Sequence, residues 1–189
     1  MLIKQETVME ALARASITVK GVLHVGAHEC EELPFYQRIG VAPNKCVWID
    51  AVQSKVDQAL ARGIPNVFKA VVSDTDNATV TFHVTNNVQS SSILEFGTHE
   101  KNYSWVHVVG STQETTTTLD TFFKEKGLDP TAYDFWNFDI QGAELMALKG
   151  GVQCSTVCKG PVSGGQYRGG LQGMCTARRT GSLSRGEGI

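Results

Sequence analysis

The chain lacks any uninterrupted apolar run near the ~20 residues that a membrane-spanning helix needs, and it lacks a charged-then-apolar leader. Neither a membrane span nor a signal peptide is therefore expected. It has no excess of positive charge: 17 Lys and Arg stand against 19 Asp and Glu, a formal net charge of -2. No basic cluster interleaves with aromatics, which argues against a nucleic-acid partner. The five cysteines (Cys30, Cys46, Cys154, Cys158 and Cys175) are odd in number and show no CxxC spacing. That pattern reads as reduced thiols in a cytosolic-type compartment, so a cytoplasmic location is expected. The remainder is an ordinary globular composition, 41% hydrophobic over 189 residues, long enough for one domain with a core.

The chain is organised around residues 21–32, GVLHVGAHECEE. Val22, Leu23 and Val25 form a short apolar run that breaks at Gly26-Ala27 and leads into a helical pattern over 32–39, with Pro34 tolerable only in its first turn. This is the pattern of a buried parallel strand, a tight turn and a helix. In open α/β sheets ligands bind at the carboxyl ends of the strands, and a glycine there lets a ligand approach the backbone closely.

An amphipathic helix is expected over 5–16, with Val8, Leu12 and Met9 on one face. A second strand is expected over 46–49, closed by Asp50. A helix over 53–62 follows, with Val56 and Leu60 spaced i, i+4 and Gly63 as its stop, and a third strand over 66–72. Repeated strand–helix alternation predicts a parallel sheet wrapped by helices. The middle breaks this rhythm. Residues 78–84 alternate as an added strand, 86–96 hold a polar loop with Ser90-Ser91-Ser92, and 106–109 and 114–118 read as separate extended pieces. The whole predicts a strand-and-loop insertion over the sheet edge or the site. Thr118 then caps a helix over 119–126 stopped by Gly127, and 133–140 is a strand whose turn, Gln141-Gly142-Ala143, opens a helix at Glu144.

Asp50 ends the second strand about two dozen residues past Gly26, where an acid commonly accepts hydrogen bonds from ribose hydroxyls. The glycine turn is not GxGxxG, so a pyrophosphate lacks its ring of N–H donors, which argues against an NAD(P)-dependent oxidoreductase. A nucleoside without phosphates fits better, and S-adenosylmethionine is the expected cofactor. His24, His28, Glu29, Cys30, Glu31 and Glu32 suggest a metal cluster in composition. Yet the two histidines straddle a strand and its turn and share no face, and Cys154, Cys158 and Cys175 lack a fourth ligand, so no metal site is expected. Trp48, Phe135 and Trp136 read as core.

VLHVGAHECEE, VWIDA, KAVVSD, SSSILEF, TTLDTFF and above all FDIQGAELMALKGG, collinear over about 21–151, resemble the FkbM-type methyltransferases, a class I S-adenosylmethionine-dependent family. The resemblance implies a Rossmann-like α/β sheet and O-methylation of a hydroxyl on a sugar or other small molecule, without nucleic acid or membrane as partner. It implies cofactor contacts at Gly26, Ala27, His28, Asp50, Ser73 and Asp74, and a substrate side at Ser91, Ser92, Gln141, Gly142 and Glu144. Asp139 is the first candidate for a group that accepts the acceptor's proton and His28 the second. Asp139 and Glu144 can equally serve as caps of the following helix. The chain departs from the family pattern at His24, where an aspartate is usual, and at Cys30, where a glycine is usual. A module of the same fold that binds a nucleotide or metabolite without catalysis is the alternative.

The expected layout is an N-terminal helix in 1–20, a methyltransferase domain in 21–151 and an aberrant tail in 152–189. After Gly151 glycine, serine and arginine dominate and apolar periodicity stops. Read one nucleotide out of frame, 152–179 regains strand and helix character, so a frame slip near Gly151 is expected. Such a slip would remove the fifth strand and the closing pair, leave the edge of the 133–140 strand unpaired or badly covered, and impair activity. The encoding DNA tests this: the idea fails if no one-base change restores a strand-like continuation.

Overall fold

The computed structural model describes residues 4–85, 93, 108–157 and 162–164. The central sheet is parallel and runs β3-β2-β1-β7-β8. Its strands are β1 (Val22–Val25), β2 (Cys46–Asp50), β3 (Val67–Lys69), β7 (Phe135–Phe138) and β8 (Val162–Gly164). β1 is central, with Leu23 beside Val47 on one side and Trp136 on the other. All residues of β1, β2 and β7 are buried, as a parallel sheet covered on both faces requires.

Alternation sorts these residues into two cores. Val22, Cys46, Trp48 and Phe135 face α1 (Gln5–Arg14), α2 (Leu33–Arg38) and α3 (Gln53–Ala61), packing with Val8, Leu12, Tyr36 and Val56. Leu23, Val25, Val47, Ile49, Trp136 and Phe138 face α4 (Leu119–Lys126), α5 (Glu144–Lys149) and α6 (Val152–Val157), packing with Leu119, Phe122, Phe123, Ala147 and Cys154. Each large apolar side chain fully buried here contributes roughly 1.5–3 kcal/mol.

The capping expectation holds at α4: the Thr118 hydroxyl accepts from Thr121 N, and Gly127 closes the helix in the left-handed region at φ 62°. In α3 the buried pair is Val56 and Ala59, spaced i, i+3, while Leu60 lies half exposed. The expected third strand divides. β3 pairs with β2, and after Ala70 the chain turns its N–H and C=O groups to another partner as β4 (Val71–Val72). β4 lies parallel to β6 (Val108–Thr117), which pairs antiparallel with β5 (Thr79–Thr85) in a second, three-stranded sheet. The extended pieces expected at 106–109 and 114–118 meet in this one strand from Val108 on. Gly110 and the polar residues after it interrupt any apolar pattern, but β5 satisfies their backbone groups.

The β7 edge, expected unpaired or badly covered, is paired over three residues. β8 pairs with it in parallel, Trp136 opposite Val162 and Phe138 opposite Gly164. Before it, α6 is docked by Asp120 of α4, whose carboxylate accepts from Gln153 N at 3.1 Å and Cys154 N at 2.8 Å, serving as a helix cap supplied by a neighbour. No helix among the described residues is long and apolar enough to cross a membrane.

Candidate functional site

A cleft opens at the carboxyl ends of the parallel strands. Its walls come from Val25, Gly26, His28, Ile49, Asp50, Ala51 and Val52 at the first two strand ends and Ala70, Val71 and Val72 at the third. Phe82 and Ile93 of the insertion complete it with Asp139, Ile140 and Ala143 after β7. Of the two places expected for the insertion, the sheet edge or the site, Phe82 and Ile93 bring it to the site.

The turn after β1 is tightly wound. Gly26 has φ 90°, and the amides of Gly26 and Ala27 both donate to the Ile49 carbonyl, at 2.8 and 3.0 Å. A Cβ on Gly26 would run into the Asp139 carbonyl and lie 3.2 Å from the Ile140 side chain. The missing Cβ thus makes room for the turn after β7, while Gly26 itself remains part of the cleft wall. His28 and Cys30 also hold positive φ, 43° and 56°. A left-handed conformation at position 30 is one that glycine adopts at no steric cost. Cys30 is buried and unbridged, and burial pushes its thiol up to about 12, which disfavours the thiolate.

Asp50 is 9% exposed at the cleft floor. One carboxylate oxygen accepts from His28 N at 2.7 Å and the other from Val52 N at 2.8 Å, which locks the first turn to the second. Each oxygen keeps a further lone pair for a ligand hydroxyl. The His28 ring is oriented by Glu31, Nδ1 to Oε1 2.7 Å. Neighbouring Glu29 pairs with Lys55 at 2.9 Å and is held below the usual carboxylate range by that hydrogen bond.

Opposite stands Asp139, mostly buried, its carboxyl raised above the ordinary value by burial and opposed by the nearby His24. The Gln141 amide donates to it at 3.4 Å. Behind it, Glu144 Oε1 accepts from Ile140 N at 3.2 Å and Gly142 N at 3.1 Å, holding a turn in which Gln141 and Gly142 have φ 55° and 103°. Glu144 Oε2 is buried with no hydrogen-bond partner among the described residues, and burial raises this carboxyl too. Glu144 thus caps the turn that carries Asp139 and is not a wall of the cleft.

Of the residues singled out from sequence, Gly26, His28, Asp50 and Asp139 meet in the cleft. Ala27 is buried beneath it. Ser73 is buried, its carbonyl close against Gly150 and its hydroxyl donating to the exposed Asp74 at 3.4 Å; neither lines the cleft. Ser91, Ser92, Cys158 and Cys175 lie outside the described residues. His24 points to the opposite face of the sheet. The apolar walls, Ile49, Val71, Val72 and Ile140, went unnoticed because strand ends read simply as core; Phe82 and Ile93 carried no signal. Among the described residues no group of three His, Cys, Asp or Glu is placed to hold a metal ion.

No curated protein and no solved structure matches this chain. The family model of the methyltransferase FkbM domain matches residues 18–162, from ahead of β1 to the start of β8. With most of its length covered and its cleft at the strand ends, the chain belongs to the FkbM methyltransferase-domain family.

Proposed function

We propose that the chain is an S-adenosylmethionine-dependent methyltransferase that methylates a hydroxyl of a sugar or another small molecule. One observation carries the reading: two carboxylates, Asp50 and Asp139, face a cleft with apolar walls, and no Lys or Arg stands among the described residues lining it. Such a site repels phosphates and suits a ligand with a ribose, a flat apolar base and positive charge. Asp50 is prepared for the ribose, because His28 N and Val52 N fix its orientation and leave lone pairs free. Ile49, Val71 and Val72 offer the apolar slot for the base.

When bound, the cofactor supplies an electrophilic methyl group on a sulfonium. The protein's part is to bring donor and acceptor to near-attack distance, worth roughly 7–11 kcal/mol in well-oriented systems. The acceptor hydroxyl must also lose a proton. Its position on the cleft wall supports Asp139 for that role, and a carboxylate with raised proton affinity is a stronger base than a solvated aspartate. His28, at the cleft rim, is the second group in reach of a bound ligand.

Calorimetric titration with S-adenosylhomocysteine tests the reading. Micromolar binding is expected. No heat from a chain that still unfolds cooperatively would rule out the cofactor.

A further inference from the structure

Beneath the cleft, on the other face of β1, lies a closed polar triangle inside an aromatic core. His24 is 1% exposed. Its Nδ1 is 3.1 Å from the Tyr36 hydroxyl, its Nε2 is 3.4 Å from Asn137 Nδ2, and Asn137 Nδ2 donates to the Tyr36 hydroxyl at 3.0 Å. Trp48 lies against the imidazole at 5.1 Å, tilted by 33°. Glu32 Oε2 stands 3.8 Å from Nδ1. The three members come from β1, α2 and β7, and His24 and Asn137 are direct partners in the sheet. Gly26 lies two residues beyond His24, and Asp139 two beyond Asn137.

Each of the three contacts needs one proton. With the Asn137 nitrogen turned inward, the amide supplies two of them, to Nε2 and to the Tyr36 oxygen. The third comes from Nδ1–H of a neutral ring. With the amide turned over, Asn137 Oδ1 accepts from Nε2–H and from the Tyr36 O–H, and Nδ1–H again donates to Tyr36. That arrangement is complete only for the protonated ring. A neutral ring facing Oδ1 leaves one contact unmade, because Tyr36 has a single proton to give. An amide's oxygen and nitrogen are told apart only by their hydrogen bonds, so both arrangements fit the heavy-atom distances of these three contacts.

We propose that His24 is a positioning residue of the cleft, and that gaining a proton there turns over the Asn137 amide and resets the turn carrying Asp139. The groups that face the ring are Tyr36 and Glu32 from α2 and its start, Asn137 from β7, Asp139 beyond it, Glu31 from the turn, and Trp48 from β2. Burial holds the ring below its ordinary value, while Glu32, Asp139 and Glu31 pull it up. The consequence for ligand binding rests on the methyltransferase reading; the proton–amide coupling does not.

Nuclear magnetic resonance of the labelled full chain, titrated downward from about pH 8, tests the coupling without any ligand. The expected result is an Nδ1–H tautomer at neutral pH. The His24 ring, the Asn137 side-chain amide and the Gly26 and Asp139 backbone amides should then share one midpoint. In Tyr36→Phe, which keeps the buried ring, Asn137 should no longer follow His24. An Nε2–H tautomer, an Asn137 amide indifferent to the titration, or a ring neutral down to acid unfolding would each overturn the proposal. In parallel, Tyr36→Phe should weaken S-adenosylhomocysteine binding roughly fivefold, the worth of about one hydrogen bond, and flatten its pH dependence. Wild-type affinity and profile in a folded variant would overturn the positioning role. A wild-type chain that binds nothing would count against the methyltransferase reading, leaving the amide titration to decide the triangle.

Discussion

Asp76 and Asp139 are both aspartates in segments that follow a strand, yet their surroundings push them in opposite directions. Asp76 accepts from Thr118 N at 2.6 Å and from the hydroxyls of Thr121, Thr118 and Thr117 at 2.7, 3.2 and 3.4 Å. Its carboxyl is held low, first by the Thr118 amide and then by the hydroxyls. Asp139 accepts from the Gln141 amide at 3.4 Å and is raised by burial. The backbone repeats the contrast. Beside Asp76 the left-handed residue is Asn77, a type that tolerates the conformation, whereas the cleft turns include Cys30 and Gln141, types that adopt it less readily. The Asp76 segment is a joint whose carboxylate is well supplied with donors. The Asp139 side holds burial and strain in place, the condition expected of a site prepared for a ligand.

Asp50 spans both roles and should give the largest effect. Asp50→Ala removes the ligand's acceptor and also frees the His28 and Val52 amides. Loss of charged hydrogen bonds at about 1.5–3 kcal/mol each predicts a fall of roughly 100-fold or more in S-adenosylhomocysteine affinity by calorimetry. An unchanged affinity would remove the cofactor reading. Next comes Asp139→Asn, expected to slow methyl transfer by about 10²–10⁴-fold, the usual worth of a positioned base. The same change should raise the melting temperature at neutral pH. Because the folded-state value is raised, the native protein resists ionisation of this group. Its cost is absent below the unfolded aspartate value near ~3.9 and complete above the raised folded value. The gain in Asp139→Asn should therefore vanish in acid. A variant both inactive and less stable at neutral pH would make Asp139 a joint like Asp76.

Asp76→Ala is the converse. It should cost about 1–2 kcal/mol in urea unfolding, as loss of a helix cap does, with ligand affinity unchanged. Since its folded value is depressed, the contribution is present above the unfolded value and lost as pH falls through the lowered one. Wild type and variant should thus converge in acid; a constant gap would show that geometry rather than charge holds the joint.

The central sheet was legible because parallel strands buried on both faces leave compact apolar runs, VLHV, CVWID and FWNF, each ending at a turn. Asp50 was legible for the same reason: an acid at such a strand's end has few uses. Asp76 was not, since its partners at Thr117, Thr118 and Thr121 lie some forty residues away, and a polar stretch reads only as a turn. The walls from Phe82 and Ile93 depend on how an insertion folds back, which local pattern does not record. His24 was legible as an oddity, but its enclosure by Tyr36 and Asn137 depends on strand order.

The smallest effect should come at Cys30. Relief of a non-glycine residue at φ 56° is worth about 1–2 kcal/mol, while removing a buried thiol and its Cβ forfeits a similar amount of packing. Cys30→Gly should therefore shift stability by no more than about 1 kcal/mol, the balance of two opposed terms, and in the stabilising direction if the site closes over the lost side chain. Gly26→Ala, four residues earlier, has no such balance: its φ of 90° is unfavourable for alanine and its Cβ collides with Asp139. Chemical unfolding of both variants separates two kinds of constraint within one turn. If Cys30→Gly proved as damaging as Gly26→Ala, the thiol would be acting as core packing for α2, and the strain at position 30 would be a by-product of that packing rather than a property of the cleft.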